Sequence, residues 1–401
     1  MERCMSFAEY PNLMQIRAFV RVAELGSVSR ASRVLYRAQS VVTRAIADLE
    51  KRLGVVLFER HANGMRLTDH GRHVLPRAQQ TLAEIAMVPQ VLGNTAEPLY
   101  LLHAGRLELF VKLCETRHMQ TVANAFGLTQ PAVSAALKVL ESGCGHLLFE
   151  RTPHGLQPTR SSEEILLHIR RALNELRHID ADIAALCGTL QGRVSVGALP
   201  LGRTRILPEA IVRLTTAHPG VRVATIESPF DLLATELRAG DIDFVLGALR
   251  PSEYASDLHG ERLLSEDLVV LARRDHPLLR RDIAPSDLGR ARWVLPRAGA
   301  PARQQLDACL AELGVGAPRP IVETGDLAII RGLLLQSDMI AAVSAHQLEY
   351  EIAAGELWPL PLQLRGTNRA IGLIYRTGCR HSPPAEALMR QVREVAGELG
   401  A

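Results

Sequence analysis

The chain runs to 401 residues, 47% hydrophobic and 22% charged, a globular composition long enough for two or three domains. It holds no run near the roughly 18 apolar residues of a membrane helix and no basic cap with an apolar segment at its start. Its six cysteines show no C-x-x-C spacing, so the reading is a cytoplasmic protein with no cofactor, zinc site or disulfide framework.

Net charge is only +3, yet residues 13–82 hold 12 Lys+Arg against 5 Asp+Glu. Residues 104–173 hold 8 against 6, and residues 188–401 hold 24 against 25. A basic end on a neutral body points to a polyanion at that end. Coding bias accounts for Arg supplying 43 of the 46 basic residues, but not for their clustering.

In chain order, Leu13, Ile16, Phe19, Val20 and Ala23 follow helical spacing and predict an amphipathic first helix. A short second helix carries Ala31, Val34 and Leu35 inward. A third begins near Gln39 with Val42, Ile46 and Leu49 on one face, and Gly54 ends it. LFER at Leu57–Arg60 then leads into a hairpin whose tip is His61–Gly64. The pattern is a helix-turn-helix with a wing. A shift of 91 residues lays Phe19–Thr68 on Phe110–Thr159 without a gap, with 15 of 50 pairs identical. Gln39/Gln130, Leu49-Glu50/Leu140-Glu141, Gly54/Gly145, LFER/LFER and Thr68/Thr159 are among them. The chain therefore carries the unit twice.

The third helix of copy one leaves Arg37, Gln39, Thr43 and Arg44 outside its apolar stripe, and Arg60 stands on the wing. Arg and Gln suit base edges, hydroxyls suit phosphates, and a helix N-terminus favours phosphate. The competing reading is a solvated polar face. Copy two offers Thr129, Gln130, Ser134, Lys138 and Arg151.

These residues resemble the LysR-type transcriptional regulators. The segments that carry the resemblance are AQSVVTRAIADLEKRLGVVLFERHANGMRLTDHG in copy one and TQPAVSAALKVLESGCGHLLFERTPHGLQPTRSS in copy two. One copy per chain is that family's usual arrangement, so two is a departure. Copy one has Ser40 at the family's proline but keeps Arg37, Arg44, Lys51 and Arg52. Copy two keeps Pro131 but has Ala135 in place of Arg44, and Ser142-Gly143-Cys144 in place of Lys51-Arg52-Leu53. Gly143, together with Gly145 two residues on, predicts an early end to its third helix. Copy one is the expected reader of double-stranded DNA; copy two is expected to bind weakly or to serve as a spacer and dimerisation platform.

Behind copy one a linker helix from about Gly71 carries Pro76 and is expected to stop near Pro89, with GNTAEP at 93–98 as connector. Behind copy two, Leu166, Ile169, Leu173, Leu176, Ile183 and Cys187 form a seam of heptad spacing, interrupted by Asp180. A homodimer through this helix is expected, or a homotetramer; packing within its own chain is the alternative. The boundaries are 11–92, 99–188 and 189–401.

From Gly192, short strands alternate with helices, which predicts an α/β domain with a parallel sheet. GALPLGRTRILP, His218-Pro219, LRAGDIDFVLG and RRDHPL resemble the LysR effector domain. This implies a two-lobed fold like periplasmic binding proteins, with lobe 1 at 189–264 and 363–401 and lobe 2 at 265–362. Ligands of such folds sit at the carboxyl ends of strands between lobes. The residues expected there are Leu201, Arg203, Thr204, Ser228, Phe230, Arg297, Arg303, Thr324, Asp326, Ser344 and His346. Phe230 falls where many members place a hydroxyl, with Ser228 as its substitute.

A transcriptional regulator responding to a small effector, a sugar or an aromatic or organic acid catabolite, is the leading reading. RNA polymerase is a further partner if the protein activates. No Gly-rich phosphate loop, H-E-x-x-H, G-x-S-x-G or metal-ligand cluster supports an enzyme. The other alternative, an assembly factor using both helix-turn-helix copies for protein contacts, fits the basic surplus of copy one poorly.

Overall fold

The computed structural model describes residues 10–62, 64–94, 97–153, 155–250 and 256–400, so Asn63 at the expected wing tip and Thr95-Ala96 of the expected connector lie outside the described residues. Two compact units result, the first made chiefly of residues up to Gly192 and the second of most of the remainder.

Copy one comprises α1 (Leu13–Leu25), α2 (Val28–Val34), α3 (Gln39–Leu53), β1 (Phe58–His61), β2 (Gly64–Leu67) and α4 (Asp69–Val91). Copy two repeats the order with α5 (Ala104–Thr116), α6 (Met119–Phe126), α7 (Gln130–Cys144), β3 (Phe149–Thr152), β4 (Gly155–Pro158) and α8 (Arg160–Leu186). Each wing is an antiparallel hairpin.

The repeated identities have a structural cause. Glu50 Oε1 accepts from the Leu57 and Phe58 amides at 2.7 and 3.2 Å. Glu141 does the same for Leu148 and Phe149 at 3.0 and 3.4 Å, so the helix carboxylate holds the start of the wing in both copies. Phe58 packs on Phe19 with ring centroids 5.4 Å apart, and Phe149 on Phe110 at 5.9 Å. Thr68 and Thr159 cap α4 and α8, each accepting from the amide three residues on. Gly64 and Gly155 have φ of 127° and 113° and lie against the Gly26 and Arg117 carbonyls, where a Cβ would come within 3 Å.

Several expectations are corrected. α7 is as long as α3, 15 residues, instead of stopping early. Gly143 fits inside it because the Tyr100 ring lies where its Cβ would be. α4, by contrast, carries Pro76 and ends at Val91, within two residues of the expected stop near Pro89. Val34 is half exposed, while Ala31 and Leu35 are buried as the spacing requires.

The largest difference concerns α8. Its seam residues Ile169, Leu173, Leu176 and Ile183 are buried, with Leu166 partly so, in a core shared with Val74, Ala78, Ile85 and Val88 of α4. The face expected to pair with a second copy is covered by the other linker helix of the same chain. Early α4 meets late α8, with Arg77 Nη1 2.8 Å from Glu175 and Nε 3.0 Å from Asp182. Late α4 meets early α8, with Glu84 2.7 Å from His168 Nδ1. The helices are therefore antiparallel. Asp180, which interrupts the apolar seam, is held by Arg52 at 3.1 Å.

The second unit has two five-stranded sheets. In lobe 1 the order is β6 (Val221–Ile226), β5 (Gly192–Ala198), β7 (Phe244–Ala248), β14 (Arg369–Arg376), β8 (Leu258–Glu266). In lobe 2 it is β11 (Val322–Glu323), β10 (Arg292–Leu295), β12 (Met339–Ser344), β9 (Leu268–Arg273), β13 (Leu357–Pro359). Helices α9 (Ile206–Ala217), α10 (Phe230–Ala239) and α15 (Pro383–Gly400) accompany the first sheet in sequence. α11 (Pro285–Arg290), α12 (Pro301–Glu312), α13 (Leu327–Gln336) and α14 (Glu349–Ala353) accompany the second. The sheets are mixed rather than parallel. β5–β7, β10–β11 and β10–β12 are parallel, but β14 is antiparallel to β7 and β8, and β9 to β12 and β13. Residues 251–255 of lobe 1 lie outside the described set.

Two stability predictions follow from the α4–α8 seam. Arg77→Ala leaves Glu175 and Asp182 buried beside a lost cation, which costs about 3–5 kcal/mol; urea unfolding followed by circular dichroism should show the earlier transition, and an unshifted one contradicts this role. Burial alone would raise the pKa of Glu84, yet the His168 hydrogen bond and the Arg171 charge hold it below its ordinary value. Its contribution is thus present above the ordinary carboxylate pKa and lost as pH falls through the lowered one. Glu84→Gln should flatten that acid-side decline in melting temperature, and a decline identical to wild type contradicts it.

Candidate DNA-binding heads and effector cleft

The N-terminal end of α3 stands clear of the core of its own copy. Val42, Ile46 and Leu49 point inward and are buried, leaving Arg37, Gln39 and Arg44 exposed and Thr43 partly so. Arg60 is exposed on β1. Arg44 approaches Asp48 of its own helix at 3.7 Å with most of its side chain in water, a pair too exposed to hold it strongly. Arg52, counted among the basic residues of this copy, is engaged by Asp180 instead.

Copy two presents Gln130, Lys138 and Arg151 exposed and Ser134 partly so. Thr129 Oγ1 caps α7, accepting from the Ala132 amide at 3.4 Å. The remainder of this helix face is apolar, with Ala132, Ala135, Ala136 and Val139 lining a groove together with His103 and Leu109. At the position where copy one exposes Arg44, copy two thus exposes the methyl group of Ala135, and its cations Lys138 and Arg151 stand elsewhere on the helix and wing.

In the second unit, side chains gather at the carboxyl ends of β5, β6 and β7. Arg203 follows β5 through a short turn, and its Nε donates to the Ala198 carbonyl at 2.7 Å. Lost hydration lowers its pKa, opposed by the charges of Glu227 and Asp326. Phe230 opens α10 just after β6, and the Arg250 guanidinium lies 4.8 Å from its ring centroid, a cation–π distance. Arg369 begins β14 opposite Glu266, in the register that pairs β14 with β7 and β8. Burial lowers the pKa of both Arg250 and Arg369, and Arg250 lowers that of Arg369 further. Among the described residues, Arg369 Nε is buried without a hydrogen-bond partner, whereas buried polar groups are ordinarily paired.

Of the residues expected here, Phe230, Ser228, Arg203 and Thr204 come from the lobe 1 side. Ser344 Oγ is buried and donates to Glu266, which also lies 3.0 Å from His346 Nδ1. Thr204 Oγ1 donates to the Gln347 carbonyl at 3.2 Å, and Arg205 meets Glu349 at 3.0 Å, so these groups join the lobes. Leu201 is buried in the turn that carries Arg203. Asp326 caps α13 through the Ile329 amide, and Thr324 accepts from the Asp326 amide.

Arg303 is a correction: it is buried, with Nε on Asp307 at 2.8 Å and Nη2 on the Pro318 carbonyl at 2.8 Å. Its cation is consumed inside lobe 2. Arg297 is exposed beside the start of α12, and among the described residues no side-chain partner ties it to the cluster. Arg250 and Arg369 were missed, because only the antiparallel insertion of β14 beside β7 brings residues 250 and 369 together.

Two family models match the chain. The LysR substrate binding domain covers residues 188–397. The bacterial regulatory helix-turn-helix protein, lysR family, matches twice, at 13–72 and 105–163. The HTH-type transcriptional regulator GalR of Pseudomonas putida is 68% identical over 97% of this chain and 98% of its own length, so it aligns with both copies. PcaQ of Agrobacterium fabrum is 29% identical over 73% of this chain and 94% of its own length. Among solved structures, a full-length OxyR variant from Pseudomonas aeruginosa aligns with TM-score 0.56 and 23% identity, covering 72% of this chain and 94% of that one. Full-length CbnR complexed with its target DNA gives 0.53 and 21%, covering 73% and 99%. Both show the shared fold. Two helix-turn-helix heads, a two-lobed effector domain and relatives named as regulators rather than enzymes place the chain in the LysR family of transcriptional regulators, with the DNA-binding module present twice.

Proposed function

We propose that copy one is the dominant reader of operator DNA and that an anionic, hydroxylated catabolite controls it from the cleft of the second unit. The observation that carries the DNA assignment is the contrast at matched positions. Arg37 and Arg44 stand exposed in copy one, where copy two has Leu128 and Ala135. With Gln39 at the helix start and Arg60 on the wing, copy one supplies base-edge and phosphate contacts. Thr129, Gln130, Ser134, Lys138 and Arg151 give copy two a weaker hold.

In the cleft, Arg203, Arg250 and Arg369 suit a carboxylate, and Glu227 and Asp326 suit ligand hydroxyls. A sugar acid or an aromatic or organic acid fits this combination, and the Phe230 ring favours an aromatic one. Ligand binding shifts the lobes only through different affinity for their two arrangements. Chains associate into a homodimer or homotetramer through surfaces other than the α4–α8 seam, act in the cytoplasm, and contact RNA polymerase if they activate.

Gel-shift titration at fixed salt tests the first part. Arg44→Ala should weaken operator binding by about 1–3 kcal/mol, as for a lost base contact, and Lys138→Ala by less. Equal losses would show that both copies read DNA to the same degree. Isothermal titration with hydroxylated carboxylic acids that raise the melting temperature tests the second. Arg250→Ala and Arg369→Ala should each lose about 1.5–3 kcal/mol of affinity, whereas Arg303→Ala, if folded, should bind as wild type. Retained affinity in both of the first two variants would remove the cluster from the effector site.

A further inference from the structure

We infer that one chain is its own pseudo-dimer: α4 and α8 pair about an internal two-fold axis, so a single chain presents two unlike heads to two unlike half-sites of one DNA duplex. The inference rests on the DNA reading above for its ligand, but on packing alone for its geometry.

The shift of 91 residues that relates the copies also relates the two sides of the seam. Arg77 falls on His168, and Glu84 falls on Glu175. The contact Arg77–Glu175, at 2.8 Å, is therefore the image of the contact His168–Glu84, at 2.7 Å. When residue i of one element meets j of the other, and the equivalent of i also meets the equivalent of j, the interface is isologous, the signature of a two-fold axis. The apolar residues obey the same rule. Ala78 falls on Ile169, Ile85 on Leu176 and Val88 on Ile179, and all six are at most 1% exposed in one core.

Two separate chains form such an interface only at sufficient concentration, whereas here the partners are covalently joined and the interface closes within the molecule. The seam that would recruit a second chain is already filled. The two heads are then held in one fixed relation by α4 and α8, and they differ in chemistry. A duplex matched to them has one half-site read by the cations around α3 and a second, weaker one under α7. An inverted repeat with two equal halves is not required.

Covalent trapping tests the geometry without DNA. Thr81 and Ala172 lie midway between the two ion pairs in sequence, and both are fully buried. The full chain carrying Thr81→Cys and Ala172→Cys, oxidised and run on a non-reducing gel beside wild type, should give a shifted monomer band. Chains carrying one change each, mixed after unfolding and refolding together, should give no covalent dimer beyond the wild-type background. Covalent dimers from the mixture would overturn the proposal. Charge exchange is the second measurement. Arg77→Glu should lower the melting temperature by about 5–10 °C, and adding Glu175→Arg in the same chain should recover part of that loss. Recovery on mixing the two single variants, with none in the double variant, would also overturn it.

Footprinting of the full-length protein on its operator then tests the consequence. Arg44→Ala should lose protection of one half-site and Lys138→Ala of the other, whereas Arg44→Ala weakening both halves equally would mean two chains each placing copy one on DNA. Absence of any footprint in wild type would reject the DNA reading alone, and the gel and melting results would still decide the pseudo-dimer.

Discussion

A single guanidinium between two carboxylates sets the relation of the two DNA-binding heads. Arg77 is fully buried and bonded to Glu175 and Asp182, and a charge withdrawn from water is tolerable only when so answered. Any slip of α4 along α8 would separate these partners and leave three charges buried at once. The apolar residues on either side supply the bulk of the attraction, being removed from water together, but they accept more than one alignment. The ion pairs do not. Because each head is continuous with its linker helix, fixing the alignment of the helices also fixes the heads.

Several of the positions shared by the copies are fixed by the fold. Identities such as Glu50/Glu141, Thr68/Thr159 and Gly64/Gly155 occupy positions where hydrogen bonds or close backbone approach leave little choice. Differences lie on the exposed helix face, where Arg44 faces water in one copy and Ala135 in the other. Others are compensated in place: Arg52 meets Asp180, while its counterpart Gly143 makes room for Tyr100.

The effector unit depends on a different topological device, the return of the chain after lobe 2. β14 enters the first sheet antiparallel between β7 and β8 and brings Arg369 to the end where Arg250 and Phe230 already stand. Polar groups also meet across the lobes, Thr204 with Gln347 and Arg205 with Glu349. Exchange of such contacts is how a bound metabolite can favour one arrangement over another.

Local pattern alone determined much of this protein. Helical periodicity and turn glycines placed the three helices and the wing of each copy, the 91-residue shift revealed the duplication, and LFER, Leu-Glu and the GALPLGRTRILP and RRDHPL segments carried the resemblance to the family and, through it, the two-lobed fold. Polarity outside the apolar stripe also identified the exposed residues of α3. What tertiary structure decided was which partner each surface meets. Heptad spacing shows that one face of α8 must be covered, but α4 and a second chain satisfy it equally, and the choice depends on how the chain between them folds. Arg303 looked available beside a helix start, yet Asp307 one turn on and a distant carbonyl consume it. Strand β8 escaped notice because it is largely half-buried, without the apolar run that marks an interior strand. Arg250 and Arg369, 119 residues apart in the chain, become neighbours only through antiparallel pairing. Periodicity records how a residue relates to its near neighbours along the chain, whereas burial, pairing and charge depend on neighbours that only the folded backbone brings close.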